Sequence, residues 1–259
     1  MSRPISKIDF RENSRNASPA VVKATQNSTR TALKKRAEVV REFGEERWQE
    51  LRRAGHEVRM HALTHLNRYL AEVEQNVVAA GGKVHWARDA KEAKEIVLGL
   101  ASQHGVKSIV KAKSMVSEEI GLNEALEAKG IRVFETDLGE FIVQLAGQHP
   151  SHITAPALHM TKEEIAELFR EKLKVDARPV PEELTEHARL ALRKEFLEAG
   201  MGISGGNFLI AETGTLVIVT NEGNGRMSTT LPPVHVAVVG IEKVIPDWES
   251  AAVLLKLLA

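Results

Sequence analysis

The sequence predicts an α/β protein: a doubly wound parallel sheet with a long helical N-terminal extension and a β-rich C-terminal part. Three observations carry this reading. Residues 19–80 run in helical pattern with glycine only at Gly44 and Gly55. Residues 83–155 alternate short β-rich runs with helical ones, and parallel strands need such crossovers. Residues 208–239 hold three apolar, β-branched runs.

Element by element, residues 1–17 read as a flexible arm. Ser18 is placed as an N-cap with Pro19 at the first helical position. Gly44 and Gly55 are expected breaks. Val58, Leu63, Leu66, Leu70, Val73 and Val77 recur on one helical face. Gly81 and Gly82 end this region, which sets an expected boundary between a helical extension, 1–80, and an α/β domain, 81–259. Strands are expected at 83–87, 108–111, 131–135 and 152–155, with helices at 89–103, 117–129 and 137–146 between them. Thr161 followed by Glu164 is a capping-box signature, and residues 182–199 form the next helix. Runs at 208–211, 216–220 and 234–239 follow, the first two joined by a hairpin turn at Glu212-Thr213-Gly214. Residues 247–258 make a last amphipathic helix.

Composition narrows the function classes. Thirty-five basic and 35 acidic residues leave no formal net charge, which speaks against a general nucleic-acid binder. There is no cysteine, so this chain has neither a disulfide nor a thiolate-bound iron–sulfur cluster. The first sixteen residues lack the apolar core of a secretory signal, and no apolar run reaches the roughly 18 residues of a membrane span. A soluble cytoplasmic protein is the expectation.

Open α/β sheets bind ligands at the carboxyl ends of their strands. Those ends hold Lys111, Lys113 and Ser114, then Glu135, Thr136, Asp137 and Glu140, then Thr154 and His159. Lysines beside carboxylates can bind an anion or polarise a carbonyl. Asp137 equally suits a helix cap, because a helix start favours aspartate by physics alone.

The run Thr220, Asn221, Glu222, Gly223, Asn224, Gly225, Arg226 follows an apolar strand. Its backbone N–H groups and Arg226 could cradle a small carboxylate or phosphate. A plain surface turn has the same composition. If the strands before Asp137 and Asn221 belong to one sheet, both loops meet over one edge. The segment from Gly202 to Asn207 is glycine-rich, but it fits neither a dinucleotide fingerprint nor a phosphate loop. His61 and His65 are four apart on a helix without the intervening glutamate of a zinc protease, so a packed helix face is the simpler reading. His149 and His152 flank Pro150 in a loop, and His235 sits in an apolar strand as an expected core histidine. No metal site is assigned.

The run ETDLGEFIVQLAGQHPSHI (135–153) resembles the lactate utilization protein B family, and SMVSEEIGLN (114–123) is similar to its neighbouring motif. GISGGNFLIAETGT (202–215) and NEGNGR (221–226) resemble its later signatures, in the same order. The resemblance implies a LUD domain of the NagB/RpiA/CoA-transferase-like type. It implies a part in oxidising L-lactate to pyruvate alongside other lactate utilization proteins. It also implies [4Fe-4S] clusters in a cysteine-rich, ferredoxin-like region absent from this chain. It assigns no catalytic residue. Two roles stay open: a docking or scaffold module of an electron-transfer complex, or a stand-alone enzyme or binding domain for a small anionic ligand. The charged helices of 1–80 are the expected surface for a partner subunit or for a homo-oligomer.

Overall fold

The computed structural model describes Arg15, residues 19–148, Pro150 and residues 155–258. The expected arm at 1–17 (Arg15 apart), the Ser18 cap, His149, His152, Thr154 and nearly all of the strand at 152–155 lie outside the described residues.

Three helices come first: α1 (Pro19–Phe43), α2 (Glu45–Thr64) and α3 (Leu66–Ala79). Gly44 separates the first two at φ +88°, as expected of a glycine break. Gly55 does not break α2. It is buried, and a Cβ there would come within 2.4 Å of Leu257 Cδ1, so it serves close helix packing instead. The second break falls at His65, between α2 and α3, and leaves Leu63 exposed.

The next elements are α4 (Ala90–Gln103), β1 (Ser108–Lys111), α5 (Met115–Glu119), α6 (Leu122–Glu127), β2 (Arg132–Glu135) and α7 (Leu138–Leu145). After them come α8 (Lys162–Leu173), α9 (Pro181–Glu198) and β3 (Met201–Ser204). The expected strand at 83–87 is irregular and almost wholly exposed; Trp86 instead donates to Glu74 of α3 at 3.2 Å. The helix expected at 117–129 is two helices, divided by Gly121 in the left-handed region. Thr161 forms its capping box with Glu164.

Strands β1, β2 and β3 join β6 (His235–Ala237) in a parallel sheet of order β2-β1-β3-β6. Side chains alternate across it. Ile109, Val133, Met201 and Ile203 pack with Val97, Leu122 and Leu126 on one face. Val110 faces the other way, with Phe141, Phe169, Leu184, Leu192 and Phe196. Helices thus cover both faces, which is why the strands read as continuous apolar runs.

The central strand β3 falls in the glycine-rich segment that matched no ligand-binding motif, and Gly202 shows what glycine does there. The helix α10 (Asn224–Thr230) crosses β3 so closely that a Cβ on Gly202 would lie 1.7 Å from the Ser228 carbonyl oxygen. Here glycine marks a close backbone approach inside a strand.

A second sheet has order β5-β4-β7, from β4 (Phe208–Ile210), β5 (Thr215–Val217) and β7 (Val244–Ile245). The hairpin between β4 and β5 forms as expected. Tyr69 and Val73 of α3 pack on Ala211 and Val244. Val58 of α2 joins Phe208, Ile245 and Leu254, the last from α11 (Trp248–Lys256). The helical extension therefore supplies part of a second core. By contrast, the described side chains of α1 are exposed, except for Glu38, Val39, Val40 and Phe43, which are half-buried.

Candidate functional site

The four parallel strands end on one edge, and two polar clusters lie there. The inner one is buried. Lys111 closes β1 and Glu135 closes β2, and the two are register partners. Lys111 Nζ lies 2.8 Å from Glu135 Oε1, 2.8 Å from Glu118 Oε1 and 3.0 Å from Ser117 Oγ. An ammonium has three protons, and all three are engaged. Burial pulls the Lys111 pKa down, but Glu135 and Glu118 outweigh it, and the ammonium is held above its ordinary value. Asn123 Nδ2 donates to Glu135 Oε1 at 2.6 Å.

Glu140, one turn into α7, completes the cluster with 3% of its surface exposed. Burial, and then the negative charge of Glu135, push its carboxyl up to about 8. Carboxylate oxygens of Glu118, Glu135 and Glu140 all lie within 4.8 Å of one another, the donor set a hard cation takes.

The outer cluster borders solvent. Asp137 is the N-cap of α7: its Oδ1 accepts from the N–H groups of Gly139 at 3.1 Å and Glu140 at 3.2 Å. Its other oxygen lies 3.9 Å from Lys113 Nζ. Glu222 reaches the same helix end and accepts from Leu138 N–H at 3.1 Å. Burial and the nearby Asp137 raise the Glu222 carboxyl, against the opposing pull of that N–H and of Lys113. Ser114 caps α5, and a Cβ on Gly205 would meet its hydroxyl at 2.8 Å.

The expectation that residues 221–226 form a turn after a strand of the same sheet needs correction. The preceding strand, β5, belongs to the second sheet, and residues from Asn224 onward are helix α10. The two loops still meet. Thr136 Oγ1 donates to the Lys111 carbonyl at 2.8 Å and accepts from Asn224 Nδ2 at 3.4 Å, while Thr220 holds the Asn224 side chain at 3.1 Å. What joins them is the crossing of α10 over β3, through Gly202, and not a shared strand direction. Gly223 begins α10 in the left-handed region. Asn221 and Arg226 are exposed, and the positive charge that lies against Asp137 belongs to Lys113.

His61 bonds the Tyr69 hydroxyl at 2.8 Å and packs on His65. His159 contacts Gln148 at 2.6 Å. His235 is not in the core: it lies on the edge strand β6, with part of its surface exposed, within 2.8 Å of Ser204 Oγ, and partial burial lowers its pKa.

Sequence reasoning named Lys111 and Glu140 but missed Glu118 and Asn123. A signal was present. Aligning the four-residue strands SIVK and RVFE end to end places a buried lysine beside a buried glutamate. Glu118 follows from the first turn of the helix that Ser114 caps.

Comparison with known proteins gives the lineage. No solved structure matches. The chain is 46% identical over 238 residues to "Lactate utilization protein B" of Bacillus subtilis (strain 168), covering 92% of this chain and 49% of that protein. It is 47% identical over 225 residues to the protein of that name from Geobacillus sp. (strain WCH70), covering 86% of this chain and 47% of the relative. It is 48% identical over 212 residues to that of Macrococcus caseolyticus (strain JCSC5402), covering 82% and 44%. The chain spans about half the length of the curated relatives it matches. The LUD domain profile matches residues 70–259, so the chain belongs to the LUD domain family.

Proposed function

We propose that this LUD domain serves L-lactate utilization as the docking or scaffold module of an electron-transfer complex that oxidises L-lactate to pyruvate. One observation carries the reading: the 46–48% identity to lactate utilization proteins B over most of the chain. The absence of cysteine supports a supporting role over a redox role, because no thiolate can hold a cluster here. The redox centres then belong to the other half of the relatives or to partner proteins. A cytoplasmic location suits this reading, and among the described residues no helix is long and apolar enough to cross a membrane. The sheet, covered by helices on both faces, is read as the NagB/RpiA/CoA-transferase-like type.

The test is a chimera. This chain is joined to the second half of the Bacillus subtilis relative and expressed in cells lacking the intact B protein. Restored growth on L-lactate is expected. A stable, full-length chimera that leaves the cells unable to use L-lactate would overturn the reading.

A second reading is favoured by the meeting of Lys113, Thr136, Asp137, Glu222 and Asn224 at the strand ends. In it the edge binds a small carboxylate or phosphate, with Ser114, Glu135, Asn221, Gly223 and Arg226 around it, as a stand-alone binding domain or enzyme. Calorimetry with L-lactate, pyruvate and inorganic phosphate decides it: no heat of binding for any of the three removes this reading.

A further inference from the structure

Among the described residues, four buried side-chain atoms lack a hydrogen-bond partner, and three of them gather in the inner cluster: Asn123 Oδ1, Glu135 Oε2 and Glu140 Oε2. All three are acceptors. Buried polar groups in folded proteins are nearly always satisfied, so a concentration of orphans in one place calls for a specific cause. A proton shared between Glu140 and the neighbouring Glu135 carboxyl would satisfy one of these sites, and the remaining lone pairs have no donor among the described residues.

The local donors are spent. Lys111 uses its three protons on Ser117, Glu118 and Glu135. Asn123 turns its amide nitrogen to Glu135 Oε1, which leaves its own oxygen open. Ser117 gives its hydroxyl proton to the Ser114 carbonyl at 2.7 Å. With every carboxylate ionised, three negative charges surround one positive charge. A divalent cation would bring that sum to zero.

We propose that Glu118, Glu135 and Glu140, with Asn123 beside them, form a binding site for a hard divalent cation of the Mg2+, Mn2+ or Ca2+ class. Three features fit. The donors are three carboxylates, which selects hard ions over soft ones. The carboxylate oxygens within 4.8 Å of one another suit an ion roughly 2.3–2.6 Å from each. Glu135 and Glu140 are 4% and 3% exposed, so their orphaned oxygens cannot be satisfied by bulk solvent, while the Glu118 side chain, 28% exposed, offers an entry path. The carboxylates come from α5, β2 and α7, and Asn123 of α6 steadies Glu135. A bound ion would tie together the elements that carry Ser114 and Asp137 to the strand-end edge.

The experiment strips the full chain with chelator and titrates it with Mn2+, following free Mn2+ by electron paramagnetic resonance. One saturable Mn2+ per chain is expected, displaced by Mg2+ or Ca2+. Glu135→Gln and Glu140→Gln should each weaken binding by about tenfold or more, with circular dichroism to confirm folding. Glu118→Gln, on the partly exposed flank, should also weaken it, and it decides the matter if the buried variants do not fold. Absence of saturable Mn2+ binding by the wild-type chain overturns the proposal. So does a Glu118→Gln chain that binds Mn2+ as tightly as wild type. A third overturning result is a wild-type chain indifferent to Mn2+ that Glu140→Gln makes more stable at pH 8, because the missing positive charge is then a proton.

Discussion

Lys111 and Glu135 face each other in register across two parallel strands, and their side chains meet at 2.8 Å with 0% and 5% of their surface exposed. Such a pair is costly to desolvate and costlier to break. Removing one partner of a buried ion pair usually destabilises a protein by about 3–5 kcal/mol, because the other charge is left uncompensated. We therefore expect Lys111→Met to lower stability by about that amount in urea denaturation. Lys111→Met combined with Glu135→Gln should recover much of the loss, since the second change removes the stranded charge. A double variant as unstable as the sum of its two single variants would show that the pair is not the organising interaction.

The Glu140 carboxyl sets a pH dependence of definite sign. Its folded pKa, raised to about 8, stands above the 4.5 of an unperturbed glutamate. Between these values the native state holds a proton that the unfolded state has released. Stability must then fall as pH rises from about 4.5 to about 8, with a slope approaching roughly 1.4 kcal/mol per pH unit in the middle of that window. Glu140→Gln keeps the shape and cannot ionise, so its stability should be flatter over the same range. The measurement is urea denaturation from pH 5 to pH 8.5 in chelator-treated buffer. Parallel pH profiles for the two proteins would contradict the assignment.

Much of this architecture was legible in the sequence where the local signal and the tertiary environment agree. The strands at Ser108–Lys111 and Arg132–Glu135, the caps at Asp137 and Thr161, and the hairpin after Ile210 all follow from local chemistry. Failures came where a long-range contact overrides the local signal. Gly202 sits in a glycine-rich run with no recognisable motif, and only the fold shows that it lets α10 cross a central strand. Residues 83–87 alternate like a strand but pair with no strand among the described residues. In the site, the juxtaposition of Thr136 with Asn224 was anticipated for the wrong reason, because sequence gives no sign that β5 leaves the main sheet. Glu118 and Asn123 were passed over because a polar side chain that turns into a buried cluster and one that faces solvent look alike in sequence until the strand register is set.

Two glycines give opposite expectations for the same substitution. Gly202→Ala places a methyl group against the Ser228 carbonyl, which is backbone and cannot swing aside. Overpacking of this kind costs typically about 1–3 kcal/mol, and here it should also shift α10 from the strand. Gly99 lies within α4 with nothing near a prospective Cβ. Gly99→Ala should stabilise the protein by up to about 1 kcal/mol through helix propensity. Thermal denaturation of the two variants checks both signs. A neutral Gly202→Ala would mean that α10 does not cross β3 as closely as described.

The three N-terminal helices should not behave alike on truncation. Most of α1 is solvated, and its C-terminal turns are the part that packs: Phe43 meets Trp48 edge-on at 6.1 Å and Arg36 lies over the same ring at 6.0 Å. Trp48, Ala62, Tyr69 and Val73, in α2 and α3, are buried. Tyr69 and Val73 cover one side of the β5-β4-β7 sheet, and Asn76 donates to the Ala211 carbonyl at 2.7 Å. The described side chains up to Lys34 are all exposed, so deleting residues 1–34 should leave the melting temperature within a few degrees of wild type. Deleting 1–80 uncovers the second sheet. Exposing a buried Tyr or Val costs about 1.5–3 kcal/mol each, against a total stability of only about 5–15 kcal/mol for a typical domain. The longer deletion should therefore aggregate or lose cooperative unfolding, so an assay of partner binding by the helical extension must use the shorter one. Equal melting curves for the two truncations would show that α2 and α3 are dispensable cover rather than part of the second core.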